Sequence, residues 1–96
     1  MNYFYNFTGI LKNNLKINFK DNRSIFLHLN YRDNYFYINS KNNYWLKEIK
    51  VYLKFEENFN LKINIKFFQN YCKIKINNFN EIKYYYQVDP SYFQKI

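Results

Sequence analysis

Histidine, asparagine and arginine stand two residues apart at His28, Asn30 and Arg32. On an extended strand, residues at that spacing share one face. Arg32 supplies only hydrogen-bond donors, Asn30 both donates and accepts, and a neutral His28 carries one donor and one acceptor. That mixture suits a hydroxyl group, which donates once and accepts twice. Trp45, the only tryptophan, adds a rigid ring whose face can cover the C–H side of a ring-shaped polyol at little entropic cost. Glu48 would accept from a further hydroxyl and hold the Arg32 fork in place. These residue types point to recognition of a ligand covered in hydroxyls. Selectivity would follow because a hydroxyl pointing elsewhere leaves buried polar groups unpaired.

Catalytic chemistry is harder to assemble. His28 is the only histidine and Cys72 the only cysteine, far along the chain at a core-like strand position, so a Cys–His nucleophile is not indicated. No Cys/His cluster has metal-ligand spacing, and a single glycine leaves no phosphate-cradling loop. Glu56 and Glu57 are adjacent, so on a strand they face opposite ways and do not pair as acid and base. The chain reads as a binding protein and not an enzyme, with no cofactor and no metal.

The elements that must position these groups are strands. The stretch SIFLHLNYR, Ser24 to Arg32, alternates throughout: Ile25, Leu27, Leu29 and Tyr31 point one way, Phe26, His28, Asn30 and Arg32 the other. Leu15, Ile17 and Phe19 alternate with lysine and asparagine; so do Phe59, Leu61, Ile63 and Ile65, and Cys72, Ile74 and Ile76. Ile49, Val51, Leu53 and Phe55 alternate with Lys50, Tyr52 and Lys54. Period two in β-branched and aromatic residues predicts half-buried strands. Between them lie turn candidates built from Asn and Asp: Lys12-Asn13-Asn14, Lys20-Asp21-Asn22, Asp33-Asn34, Lys41-Asn42-Asn43 and Asn77-Asn78. Many short strands joined by short turns predict an all-β antiparallel sandwich or barrel. No three-turn helix, heptad or repeat is visible.

The 96 residues suffice for one domain spanning 1–96. Asn, Lys, Ile, Tyr and Phe are the residues that AT-rich codons specify, so composition alone is a poor guide to function. The net charge of +8 favours weak adhesion to nucleic acid, anionic glycans or anionic lipid. One cysteine excludes an internal disulfide. The first residues lack the basic-then-apolar layout of a signal peptide, and no apolar run approaches a membrane span. Asn6-Phe7-Thr8 and Asn22-Arg23-Ser24 fit the glycosylation sequon by coincidence in so Asn-rich a chain.

His28-Leu29-Asn30-Tyr31-Arg32, then Tyr37-Ile38-Asn39, then Trp45-Leu46-Lys47-Glu48-Ile49-Lys50 follow one another in an order that resembles the galectin carbohydrate-recognition domain. That family carries His-x-Asn-x-Arg, Val-x-Asn and Trp-Gly-x-Glu-x-Arg on successive strands. Phe7-Thr8-Gly9-Ile10 stands where the family has an apolar residue, any residue and glycine. Cys72 to Asn78 resembles its strand ending in Val-Asn-Gly, Tyr84 falls at its Phe, and Val88 at its apolar residue before the final turn. The only His, the only Trp, the only Gly and one of two arginines all fall on family positions. The likeness covers roughly residues 5 to 95.

The resemblance implies a galectin-like jelly roll and a lectin for β-galactosides in a shallow groove. Its partners would be galactose-containing glycans, held with roughly millimolar to micromolar affinity. It assigns His28, Asn30 and Arg32 to the axial O4 hydroxyl of galactose and Trp45 to stacking. Asn39 and Glu48 go to O6, and Glu48 with Lys50 to the neighbouring sugar. Lys50 replaces the family's Arg, a point charge for a planar fork. Leu46 replaces Gly, Tyr31 replaces Pro, and the segment from Arg32 to Asn39 is short. The family's first strand and its last two are absent from the sequence, which predicts open edges that pair with a second copy or a protein partner. Two other readings stand beside this one. One is a small basic subunit of a ribonucleoprotein assembly, with nucleic acid the less favoured partner; the other is a galectin-like interaction module without sugar binding. The expected location is the cytoplasm, with export that needs no signal peptide.

Overall fold

Period-two alternation becomes strand almost wherever it occurs. The computed structural model describes residues 3–11, 14–21, 24–56 and 58–88. Within them lie β1 (Tyr3–Leu11), β2 (Leu15–Lys20), β3 (Ile25–Arg32), β4 (Tyr35–Asn42), β5 (Tyr44–Trp45), β6 (Ile49–Tyr52), β7 (Phe59–Phe67), β8 (Tyr71–Ile76) and β9 (Ile82–Tyr85). They form two antiparallel sheets. One runs β1-β7-β8-β9; the other runs β2-β3-β4, with β5 and β6 both pairing along the far side of β4. The fold is an all-β sandwich.

The apolar rows face each other between the sheets. Leu61, Ile63, Ile65 and Phe67 of β7 and Cys72, Ile74 and Ile76 of β8 meet Leu27, Leu29, Tyr31, Phe36 and Ile38 of the second sheet, all buried. Each such aliphatic or aromatic side chain stabilises the fold by about 1.5–3 kcal/mol on burial. A one-residue slip of β7 would put Lys62, Asn64 and Lys66 into this layer, so the register is strongly specified.

Turns that other chains build with glycine are built here with asparagine and aspartate. Among the described residues, positive φ occurs at Asp33 (51°), Asn34 (71°), Asn43 (64°), Asn58 (62°) and Asn77 (47°), and not at glycine. Short polar side chains tolerate this region better than others because they hydrogen-bond locally. Asp33 and Asn34 together make the two-residue connection of the β3–β4 hairpin, closing directly after the Arg32–Tyr35 pair. Positive φ at both positions matches the turn that follows strand twist. Asn77 accepts from the Lys62 amide (3.1 Å) and donates to the Asn60 carbonyl (3.1 Å), locking the β7–β8 end. The turn segments Lys12-Asn13 and Asn22-Arg23 lie outside the described residues.

Two strand expectations need correction. The alternation of SIFLHLNYR is broken at Phe26. Lys20 pairs with Ile25 and Phe19 with Leu27, while Ile25 pairs with Lys41 and His28 with Asn39. Phe26 is therefore an extra residue in the ladder, a β-bulge, and both Phe26 and Leu27 turn into the core. Phe26 packs edge-on against Phe67 (6.0 Å) and Tyr86 (5.7 Å) of the opposite layer. The alternation resumes at His28 with its phase set by the bulge. Likewise β6 stops at Tyr52 instead of continuing to Phe55. Leu53 turns inward, its amide on the Asn34 carbonyl (2.9 Å) and its own carbonyl accepting from the Tyr31 hydroxyl (2.8 Å).

Candidate functional site

Beyond the bulge, His28, Asn30 and Arg32 share the outer face of β3, as their spacing predicts. Pairing supplies their neighbours. His28 lies between Asn18 of β2 and Asn39 of β4, Asn30 between Lys16 and Tyr37, and Arg32 beside Tyr35.

The His28 ring is oriented by a residue that sequence reasoning missed. Its Nδ1 bonds to the Asn18 amide oxygen. An amide oxygen only accepts, so Nδ1 carries the hydrogen and Nε2 presents its lone pair outward. Partial burial and the Lys16 ammonium hold His28 below the ordinary histidine value, Arg32 adding to the effect and Glu48 opposing it. At neutral pH the ring is uncharged and one acceptor is available. Asn18 sits in phase with Lys16 and Lys20 on an alternating strand; only the pairing of β2 with β3 could have singled it out.

Asn30 is 8% exposed, and its Oδ1 is buried with no hydrogen-bond partner among the described residues. An orphaned buried acceptor costs about 1–3 kcal/mol, and here it sits between a histidine and an arginine on one strand face. Trp45, 49% exposed, lies beside His28. Its indole packs against the His28 ring at 4.6 Å between centroids and 52° between planes, with the Lys41 ammonium 5.1 Å from the ring centre. At that separation the two rings touch, and a ligand must use the open part of the indole.

Arg32 and Glu48 do not form the expected ion pair: among the described residues the Arg32 guanidinium instead lies over the Tyr37 ring, 4.2 Å from its centre. Lys50 sits over Tyr35 at 4.5 Å and reaches Tyr37 at 5.8 Å. The short hairpin places Tyr35 and Tyr37 where these cations can use their faces, an attraction of about 0.5–2 kcal/mol each. The Arg32 guanidinium is thereby held against the Tyr37 ring with donors to spare.

Asn39 is 4% exposed. Its amide donates to the Leu46 carbonyl (3.0 Å), and its oxygen accepts from the Ser40 amide (2.8 Å), with Gln87 Nε2 3.3 Å away. It therefore anchors the segment after Trp45, with one amide hydrogen left over. Gln87 completes the anchor. Its Oε1 accepts from the Lys47 amide (3.0 Å) and its Nε2 donates to the Lys47 carbonyl (2.7 Å) and the Tyr84 hydroxyl (3.0 Å). A side-chain amide thus pairs with a backbone amide much as a neighbouring strand would, and fixes the segment that carries Glu48. No local pattern in the sequence marks Gln87 for this task.

Beneath the site the two sheets are tied by hydroxyls. Ser40, fully buried opposite the bulge, donates to the Phe26 carbonyl (2.9 Å). Its single hydrogen is used there, so the buried Tyr84 hydroxyl donates to Ser40 Oγ across 2.6 Å. Among the described residues no group of three His, Cys, Asp or Glu side chains could hold a metal ion.

No family model matches the chain, and no curated protein does. Solved structures do. The chain is similar to ancestral congerin Con-anc (TM-score 0.73, 23% identity, 85% of this chain and 71% of that one). It is similar to sheep galectin-11, solved in complex with glycerol (TM-score 0.76, 18% identity, 92% and 74%). It is also similar to CG-16, a homodimeric agglutinin from chicken liver (TM-score 0.73, 19% identity, 91% and 83%). The two sheets, their pairing and these neighbours agree: the chain has a galectin-like fold.

Proposed function

We propose that the domain is a lectin that binds β-galactosides on the outer face of β3 and β4. The observation that carries this reading is the buried, unpartnered Oδ1 of Asn30, set on one strand face between Arg32 and a His28 whose ring packs against the half-exposed Trp45. A hydroxyl entering there donates to Asn30 or to His28 Nε2 and accepts from Arg32, which uses its hydrogen and one of its two lone pairs. The C–H face of the sugar covers the open part of the indole. Arg32, resting on Tyr37, loses little freedom when it binds. Asn39 acts chiefly by holding the segment that bears Glu48, and its remaining amide hydrogen serves O6. Lys50, drawn over Tyr35, contributes little to a second sugar.

The test is an NMR titration of labelled protein with lactose. Saturable shifts at the Asn30 side-chain amide, the Trp45 indole and the His28 ring are expected, with few elsewhere. Lactose without effect on these three groups would refute the reading. So would shifts confined to the other sheet.

A further inference from the structure

The outer face of the first sheet carries a second, unrelated set of groups. Lys66 of β7 pairs with Lys73 of β8, and Lys73 with Lys83 of β9, so three ammonium side chains stand directly opposite one another across three strands. Adjacent strands lie about 4.8 Å apart, and like charges placed this way destabilise a sheet. Lys75 stands two residues along, opposite Asn64, and Lys62 opposite Thr8. Among the described residues the only carboxylate paired with this set is Glu81, 3.9 Å from Lys73. Among the described residues Lys62, Lys66 and Lys75 make no ion pair.

These cations border a groove of about 400 Å³ whose lining includes Phe4, Asn6, Asn64, three lysines (Lys66, Lys73 and Lys75) and the single carboxylate of Glu81. Phe4 is 68% exposed, an unusual cost for a phenyl ring, and Tyr85 at the other edge is 59% exposed. Asn6 and Asn64 are direct partners on the same face and offer both donors and acceptors. Lys83 already lies over Tyr71 and Tyr85, at 4.4 and 5.1 Å. The face therefore combines a row of positive charge that the one Glu81 carboxylate only partly offsets, exposed aromatic rings and amides that match base edges.

We propose that this face binds single-stranded nucleic acid, its phosphates on the lysine row and its bases against Phe4 and Tyr85. Stacking platforms beside a basic track are the general solution for single strands. A sulfated glycan would meet the charges and leave the phenyl ring without a role. The polymer also relieves the repulsion that the lysine register builds into the sheet. This face is the reverse of the one that carries His28 and Trp45, so the inference does not depend on sugar binding.

The experiment is fluorescence anisotropy of a labelled oligothymidine of about fifteen nucleotides, with heparin and lactose as competitors. Saturable binding is expected for the full chain, undisturbed by lactose. The variant K66Q/K73Q/K75Q removes repulsion and so keeps its fold, verified by its unfolding midpoint. Each phosphate contact contributes about 0.7 to the slope of log affinity against log salt, so this variant loses about 2 from the slope and about 100-fold in affinity near 0.1 M salt. Phe4→Ser weakens the oligonucleotide and leaves both heparin binding and the salt slope unchanged. Absence of binding in low salt overturns the proposal, as does a triple variant that binds like the parent. Heparin preference with no dependence on Phe4 overturns it in favour of a sulfated glycan. Competition by lactose overturns it by moving the site to the other sheet.

Discussion

Ser40→Ala tests the tie between the sheets. The serine hydroxyl donates to the Phe26 carbonyl at the bulge and accepts from the Tyr84 hydroxyl of the opposite sheet, in a place where Ser40 and Tyr84 are at most 1% exposed. Alanine removes the bond to Phe26, worth about 1 kcal/mol net, and leaves the buried Tyr84 O–H, which still accepts from Gln87 Nε2, without an acceptor of its own at about 1–3 kcal/mol. The expected loss is about 2–4 kcal/mol, a large part of the 5–15 kcal/mol typical of a domain. Tyr84→Phe leaves Ser40 its bond to Phe26 and costs about 1 kcal/mol. In the double variant no tyrosine hydroxyl remains to be stranded. The double variant is therefore about 1–2 kcal/mol more stable than the sum of the singles implies. Urea unfolding of the four proteins measures this, provided the m-value is constant. Additive losses, or a Ser40→Ala cost below about 0.5 kcal/mol, would refute the hydroxyl chain.

Asn30→Ala removes an unpartnered buried oxygen, so stability stays level or rises, while lactose affinity falls about three- to tenfold for the lost hydrogen bond; urea unfolding and calorimetry of the same variant check both. Cys72 is fully buried and its thiol is pushed up to about 12 by that burial. Thiol reagents at mildly alkaline pH should leave the native protein unlabelled and react once it is unfolded; rapid native labelling would contradict the core placement. His28 is held below its ordinary value of 6.5, so as pH falls the unfolded chain takes up this proton before the folded one. Its stabilising contribution is complete above the ordinary value and is lost as pH drops through the lowered one. An NMR titration should place the His28 midpoint below 6.5, and His28→Gln should remove that part of the pH dependence of stability.

The layers of the fold were legible because half-buried strands write their burial into the sequence at period two. Leu61, Ile63 and Ile65 on β7 and Ile74 and Ile76 on β8 needed no further information. The Asp33-Asn34 hairpin was legible from turn chemistry in a chain with a single glycine. The bulge at Phe26 was not, because alternation in one strand does not report how its two neighbours pair. Its apolar side chain on the polar face was the one local clue. The His28, Asn30 and Arg32 row survived because it lies wholly beyond the bulge. The partners of that row are long-range, and spacing is silent on them. Asn18 reaches His28 through β2–β3 pairing, Gln87 reaches Lys47 from forty residues away, and Tyr37 displaces Glu48 as the support of Arg32.

The central claim is that a galactoside rests on Trp45, and the single tryptophan makes it directly measurable. Tryptophan-selective fluorescence is followed while lactose, and separately maltose, is added to the folded protein. A saturable change with lactose is expected, half-complete between roughly micromolar and millimolar, and none with maltose. No change with lactose, or equal changes with both sugars, would contradict it.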